Sequence, residues 1–410
     1  MFKSFFTHQY FLWFIMMAIL SVDCFSKNTD LHTEGISEPE DTTILTGAEQ
    51  LEVYIPLLRN KKISCVVNHS SLIGKTHLVD TLLSKGIDIV NVFAPEHGFR
   101  GDVSDGEWIP DSKDPDTGLP IISLYGKTKK PTAENLKGVG VVVFDIQDVG
   151  VRFYTYLSTL HLVMEACAEQ KILLIVLDRP NPHMHYTDGP VLEKAFTSFI
   201  GMHPVPVVYG MSIGEYALMI NGEGWLSDGL RADLEVIPVK NLVRNHHYFL
   251  PVAPSPNLPN QLSVLLYPSL CFFEGTMISV GRGTDKPFQC LGHPGLSQST
   301  FEFTPKPNKG SVNPPQKNIR CYGEDLSLKY ADLNWKPDRL ELSYLLHYYH
   351  SIKRINQPFF IESTHFNRLA GTDQLRKQLE NGWTEDQVRK SWQSGLEAFE
   401  KIREKYLIYP

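Results

Sequence analysis

The chain reads as an α/β protein: a doubly wound, mostly parallel sheet followed by a second, smaller α/β domain. Three observations point there. Short apolar runs rich in Val, Ile and Leu alternate with stretches of helical spacing from about residue 50 to residue 240, the rhythm of parallel strands joined by crossover helices. The runs are apolar nearly throughout, as strands covered on both faces require. They also end repeatedly on polar residues, at Asn68, Glu96, Asp145 and Asp178, which is how a site is assembled along the carboxyl edge of an open sheet.

With 410 residues and 42% hydrophobic content the chain can fill two cores. A net charge of −7 argues against nucleic acid as a partner, because phosphate binding needs a concentrated basic surface. Residues 1–26 read as an export signal. Lys3 supplies a modest positive start, and Phe11 to Leu20 is an unbroken apolar run too short to span a bilayer comfortably. Small residues near Ser21 and Ser26 suit cleavage, whereas Asp23 fits poorly before a lipidated Cys24. The expectation is a periplasmic or secreted protein, with membrane contact only if this N-terminus is retained or lipidated. Residues 27–46 are polar and acidic without period and read as a flexible leader.

The first domain is placed at 47–245. Leu51, Tyr54, Leu57 and Leu58 have helical spacing, and Ile63 to Asn68 is a strand. A helix over Thr76–Lys85 stops at Gly86, and Ile87 to Ala94 is a strand halted by Pro95. The next strand, Val139 to Phe144, leads into Asp145–Tyr154, and a helix over 158–170 precedes the strand Ile172–Leu177. Ser212 and Glu215 have capping-box spacing, which assigns Glu215 to the helix start before any catalytic part. Leu234 to Val239 is the last strand of this domain. No glycine fingerprint follows the first strand and no Walker motif occurs, so neither a dinucleotide nor a nucleoside triphosphate is expected.

The second domain is placed at 246–410. Pro251, Pro254, Pro256 and Pro259 make a stiff, extended entrance suited to bridging domains or lining a cleft. Gly281-Arg282-Gly283-Thr284 holds a cation between two glycines, an arrangement for an anionic group or simply a tight turn. Helices follow over 340–350, 374–381 and 384–406; in the last, Val388, Trp392, Leu396, Phe399 and Ile402 form a core stripe. An odd number of widely spaced cysteines remains after the signal, so no disulfide framework is expected, although Cys271, Cys290 and Cys321 leave room for one pair. No metal is expected, since histidines and carboxylates do not fall at ligand spacing.

The densest chemistry lies in Ala94-Pro95-Glu96-His97-Gly98-Phe99-Arg100-Gly101, where an acid, an imidazole and a guanidinium arrive directly after a strand. With Phe144–Tyr156, Asp178-Arg179-Pro180-Asn181-Pro182, Pro254–Pro259, Glu274-Gly275-Thr276 and Gly281–Thr284, this run resembles the exo-β-N-acetylmuramidase family of bacterial glycoside hydrolases, over nearly all of the chain after residue 47. The resemblance implies a Rossmann-like domain joined to a smaller C-terminal α/β domain, an active site in the cleft between them, and no cofactor. It also implies release of N-acetylmuramic acid from non-reducing ends of peptidoglycan fragments (N-acetylmuramic acid–N-acetylglucosamine) during cell-wall turnover and recycling. The family's motif glutamate corresponds to Glu96.

Glycosidic cleavage needs an acid for the leaving oxygen and a second carboxylate as nucleophile or base. Glu96 is the candidate acid. Asp145, at a neighbouring strand end, and Glu274, from the second domain, are candidates for the partner, with Asp148 and Asp178 held open. Asp145 and Asp178 fit equally well as structural acceptors at strand ends. The lactyl carboxylate of muramic acid calls for a cation, and Arg100, Arg152 and Arg282 each lie in a motif; Arg152 serves as well to hold a carboxylate. His97, Asp148, Tyr154, Asn181 and Asn257 complete the candidate substrate-binding set, with Tyr154 and Tyr156 equally acceptable as core aromatics. Two other readings remain: a non-catalytic muropeptide-binding protein, and a hydrolase of another wall bond, the latter weakened by the absence of a Gly-x-Ser-x-Gly elbow.

Overall fold

Nine strands occupy the first 240 residues of a computed structural model that describes residues 42–100, 111–330, 332, 335–361 and 363–410. The signal segment, most of the leader and Gly101 lie outside the described residues. In chain order the strands are β1 (Lys62–Val67), β2 (Leu72–Ile73), β3 (Thr76–His77), β4 (Asp88–Ala94), β5 (Ser112–Lys113), β6 (Pro120–Ser123), β7 (Val141–Asp145), β8 (Leu173–Leu177) and β9 (Leu234–Ile237). Except for the hairpin β2–β3, they form one seven-stranded sheet in the order β5-β6-β4-β1-β7-β8-β9. Every pairing is parallel apart from the edge strand β5. Without that edge the order is third-second-first-fourth-fifth-sixth, so the winding reverses between β1 and β7, and the loops after these strands meet at the reversal point.

The apolar runs are explained by burial on both faces. Ile63, Cys65 and Val67 of β1, Val141 and Val143 of β7, and Ile175 and Leu177 of β8 pack against the helices Leu51–Leu58 and Leu78–Ser84. Their neighbours Val66, Val142, Phe144, Leu174 and Val176 face the helices Tyr156–Gln170 and Ile213–Glu223. That second core does not stop at the sheet. It continues without a break into Leu258, Val264, Phe272, Phe288, Tyr348, Phe366 and Phe399, so Thr43–Pro410 form one compact unit. Contacts begin inside the stretch read as leader, where Leu45 bridges Lys240 and Thr46 closes a capping box with Glu49.

The C-terminal half contains the helices Gln261–Leu270, Ser343–Arg354, Ser363–Ala370, Gln374–Glu380 and Glu385–Arg403. Beside them lies an antiparallel sheet of β10 (Cys290–His293), β11 (Phe301–Phe303) and β12 (Cys321–Asp325), ordered β10-β12-β11. The last helix starts at the Thr384 capping box with Gln387 and buries Val388, Trp392, Leu396 and Phe399 as its spacing predicts, while Ile402, the last of the expected stripe, is only partly buried at the helix end. Several elements went unrecognised in the sequence, among them the short strands β2, β3, β5 and β6 of the first half and, in the second, the small sheet and one helix. The small sheet has strands of three to five residues interrupted by Gly292 and Gly323, too short for a period to emerge. The helix Ser363–Ala370 has only two turns. The helix expected from Thr76 begins at Leu78, because Thr76 and His77 pair with β2 and His77 Nδ1 accepts the Val79 N–H as N-cap. The five described cysteines are buried free thiols.

Candidate active site

Glu96 leaves the end of β4 in a tight turn closed by the Gly98 N–H to the Pro95 carbonyl at 3.0 Å. His97 takes a left-handed φ of 71° inside it, a conformation uncommon for a non-glycine residue and often kept where geometry matters more than local comfort. The next strand-to-helix junction braces the turn. Thr155, at the N-cap position of the helix Tyr156–Gln170, donates its hydroxyl to Glu96 Oε2 at 2.7 Å. The Tyr156 hydroxyl accepts from Asn68 Nδ2 at 2.9 Å and lies 3.4 Å from the Glu96 carbonyl. Residues after β1, β4 and β7 therefore set one side chain, which is why adjacent strands all end in polar groups.

Glu96 opens into a cavity of about 610 Å³, well within the range that holds a small ligand. Glu96, His97, Tyr125, Lys129, Phe153, Tyr154, Thr155 and Phe199 line it from the first half of the chain, and Ser255, Asn257, Leu258, Tyr267, Cys271, Glu274, Arg282, Phe288, His365 and Leu369 from the second. Edge-to-face contacts between Phe153 and Tyr267, Tyr154 and Tyr267, and Tyr267 and Phe288 make a continuous aromatic wall, a surface suited to the apolar face of a sugar. The proline-rich stretch lines the cavity and is anchored there: the Tyr154 hydroxyl donates to the Pro254 carbonyl at 2.9 Å, and Asn257 Nδ2 to the Gly310 carbonyl at 2.7 Å.

Glu274 stands on a short turn of helix after Gln261–Leu270, and Arg282 NH1 meets its Oε1 at 2.7 Å. The two glycines around Arg282 are required by the backbone. Both are left-handed, and a Cβ would come within 2.5 Å of Cys290 Sγ at Gly281 and 2.6 Å of the Lys306 carbonyl at Gly283. The loop is thus a device for delivering one guanidinium to one carboxylate.

Of the residues expected from the sequence, Glu96, His97, Tyr154, Asn257, Glu274 and Arg282 line the cavity. Five others are placed elsewhere, each for a visible reason. Asp145 is fully buried in a two-pronged pair with Arg179, at 2.5 and 2.9 Å. Asp148 accepts from the Tyr209 hydroxyl and from the Gly150 N–H at 2.9 Å, and burial pushes its carboxyl up to about 6 against those bonds. Arg152 donates to the carbonyls of Pro190, Val205 and Leu369 at 2.9, 2.7 and 3.0 Å, and burial lowers it to about 9. Asn181 ties the Met211 carbonyl to the His183 N–H at 2.7 Å each. Arg100 packs on Phe99 and pairs with Asp80 and Asp114 at 3.1 and 2.9 Å. Asp178 is likewise structural, receiving the Gly214 N–H at 2.8 Å, the Ser212 hydroxyl at 2.6 Å and the Tyr409 hydroxyl; burial holds it near 6. Glu215 caps its helix as expected and also pairs with Arg244.

Sequence reasoning missed Thr155, Lys129, Phe199, Cys271 and His365 as cavity residues. Thr155 lay inside a recognised motif, but only its position beneath Glu96 reveals its part. Lys129 sits in a run of lysines and threonine that reads as solvated surface. Among the described residues no group of three or more His, Cys, Asp or Glu side chains is placed to hold a metal ion.

Comparison with known proteins adds an independent observation. A family profile described as exo-beta-N-acetylmuramidase NamZ, N-terminal, matches residues 63–262, and its C-terminal counterpart matches residues 265–409. The chain is 35% identical to the peptidoglycan beta-N-acetylmuramidase NamZ of Bacillus subtilis strain 168, over 96% of this chain and 97% of that one. Two crystal structures of DUF1343 family proteins from Bacteroides fragilis superimpose on it. One has a TM-score of 0.82 at 42% identity and the other 0.73 at 27%, each covering 90% of this chain and 99% of the other.

Proposed function

The chain belongs to the exo-beta-N-acetylmuramidase family, and from that membership we propose how its cavity works on peptidoglycan. The protein is a glycosidase, an exo-β-N-acetylmuramidase that removes N-acetylmuramic acid from non-reducing ends. Its substrates are fragments in which that sugar is linked to N-acetylglucosamine.

One observation carries the assignment of roles: two carboxylates, Glu96 and Glu274, reach one aromatic-walled cavity from the two halves of the chain. Hydrolysis needs a proton for the departing oxygen and negative charge beside the oxocarbenium-like centre. Glu96 supplies the proton, its Oε2 held by the Thr155 hydroxyl. Glu274, oriented by Arg282, supplies the negative charge at the anomeric centre. Asp145 is the weaker candidate for this second part, since both of its oxygens are spent on Arg179. Tyr154, Tyr267 and Phe288 carry the ring, and His97 and Asn257 line the same cavity.

The test is release of chromophore from a chromogenic β-N-acetylmuramide and from the matching β-N-acetylglucosaminide, with Glu96→Gln and Glu274→Gln alongside. Release from the muramide alone, reduced about 10²- to 10⁴-fold in each variant, supports the assignment. Full activity in Glu274→Gln sinks the role of Glu274. Tight muramide binding without release in the native protein replaces the enzyme with a binding protein. We place the protein outside the cytoplasm on the strength of residues 1–26. Recovery of the chain with an intact N-terminus from the cytoplasmic fraction overturns that.

A further inference from the structure

Muramic acid differs from glucosamine by a lactyl ether, which adds a methyl group and a carboxylate. Of the three arginines that the sequence offers to read it, two are committed outside the cavity and the third is engaged by Glu274. Resting on the glycosidase reading above, we propose that Lys129 reads the lactyl carboxylate, with Phe199 and Ile200 receiving the lactyl methyl.

Lys129 comes from the loop after β6, and β6 lies beside β4, with Ser123 opposite Ala94 and the Leu124 N–H bonded to the Ala94 carbonyl at 2.8 Å. The loop that carries Lys129 therefore starts next to the turn that carries Glu96. Both residues line the same cavity, as do Phe199 and Ile200. The Lys129 ammonium lies 4.2 Å over the centre of the Phe199 ring, a contact that holds a cation in place without neutralising it. The adjacent lysine makes the contrast. Lys130 is spent on Glu165 and Glu169 at 3.0 and 2.6 Å, whereas no carboxylate among the described residues pairs with Lys129. With Arg282 offset by Glu274, Lys129 is the one lysine or arginine among the described cavity-lining residues left for a substrate anion. A charge partly withdrawn from water beside an apolar shelf matches the lactyl group, a carboxylate and a methyl on one carbon.

The experiment compares a chromogenic β-N-acetylmuramide with the same compound carrying its lactyl group as the neutral amide, on the native enzyme, Lys129→Met and Lys129→Arg. The native enzyme favours the free acid. Lys129→Met raises KM for the acid about 10- to 100-fold, changes kcat far less, and brings the acid-to-amide ratio of kcat/KM to about one; Lys129→Arg restores most of the preference. An unchanged KM for the acid overturns the proposal. So does an equal loss on acid and amide, which marks a purely structural lysine. Calorimetric binding of free N-acetylmuramic acid and its amide reads the same ratio without turnover. If the native protein cleaves neither compound, the glycosidase reading fails, and the binding ratio still decides the part of Lys129.

Discussion

Asp145, Asp148 and Asp178 end strands or enter loops on one side of the sheet's reversal point, while Glu96 lies on the other and Glu274 faces it from the C-terminal half. The first three are buried and answered by neighbouring groups: a guanidinium for Asp145, a phenol and a backbone N–H for Asp148, two hydroxyls and two backbone N–H groups for Asp178. Glu96 and Glu274 each have a partner too, but both line open space. The chemical group is the same and its use is opposite. A buried carboxylate with its partners present contributes to the fold, and it is costly only when one partner goes. A carboxylate held by a partner at the wall of a cavity is positioned for a reactant. Polarity at a strand end thus locates the edge of the sheet, and the cavity decides which of its acids does chemistry.

Substitutions should separate the two groups, beginning with the largest effect. Glu96→Gln keeps the Thr155 hydrogen bond and removes the proton, so kcat should fall by up to about 10⁴-fold, while the urea midpoint stays within error of the native value. Asp145→Asn should do the reverse. It leaves Arg179 buried without its countercharge, at a cost of about 3–5 kcal/mol of stability, whereas turnover per folded molecule, measured at low temperature, changes little. An Asp145→Asn enzyme that is stable and inactive breaks the division.

Asp148 gives a subtler test. Its folded-state pKa is raised by burial to about 6, above its unfolded value, so the native state holds the proton more tightly. Its contribution to stability is then greatest below the unfolded pKa and declines as pH rises through about 4 to 6. Asp148→Asn keeps an acceptor for Tyr209 and Gly150 without titrating. Its unfolding free energy should lack that downward slope, and the native-minus-variant difference read by urea titration at several pH values should fall with rising pH. Arg100→Lys is expected to do least, since it keeps the positive charge beside Asp80 and the buried Asp114 on a partly exposed side chain: about 1 kcal/mol or less, with kcat/KM on the muramide unaltered. A marked rise in KM would bring Arg100 back to the substrate.

Much of this arrangement could be read before any coordinates. Strands covered on both faces announce themselves as apolar runs, so β1, β4, β7, β8 and β9 were legible, while β5 and β6, of two and four residues, were too short to show. Glu96 stood out because Pro95 stops a strand directly before it, and Glu274 and Arg282 because a glycine-flanked arginine is conspicuous. The helix at Ser212 was legible from its cap. What stayed hidden depends on distance through space. Nothing local tells Asp145 from Glu96; the difference is Arg179, 34 positions away. Arg152 looks like a ligand-reading residue until three carbonyls from distant loops converge on it. Lys129 looks like surface until Phe199 is found beneath it.

The bonds that satisfy the first half of the chain also arrive very late in the sequence. Tyr409 reaches Asp178 across 231 positions, and the Leu369 carbonyl receives Arg152 across 217. A nascent chain that has emerged only as far as residue 262, where the first family profile ends, holds a buried aspartate and a buried arginine each short of a partner. The strands of the parallel sheet can pair before then, but its closure awaits the final segment, a slow, high-contact-order step. For the same reason a gene divided at the seam between the two profiles would yield neither a Rossmann-like module nor a cap that is complete, since each half carries the other's missing hydrogen bonds.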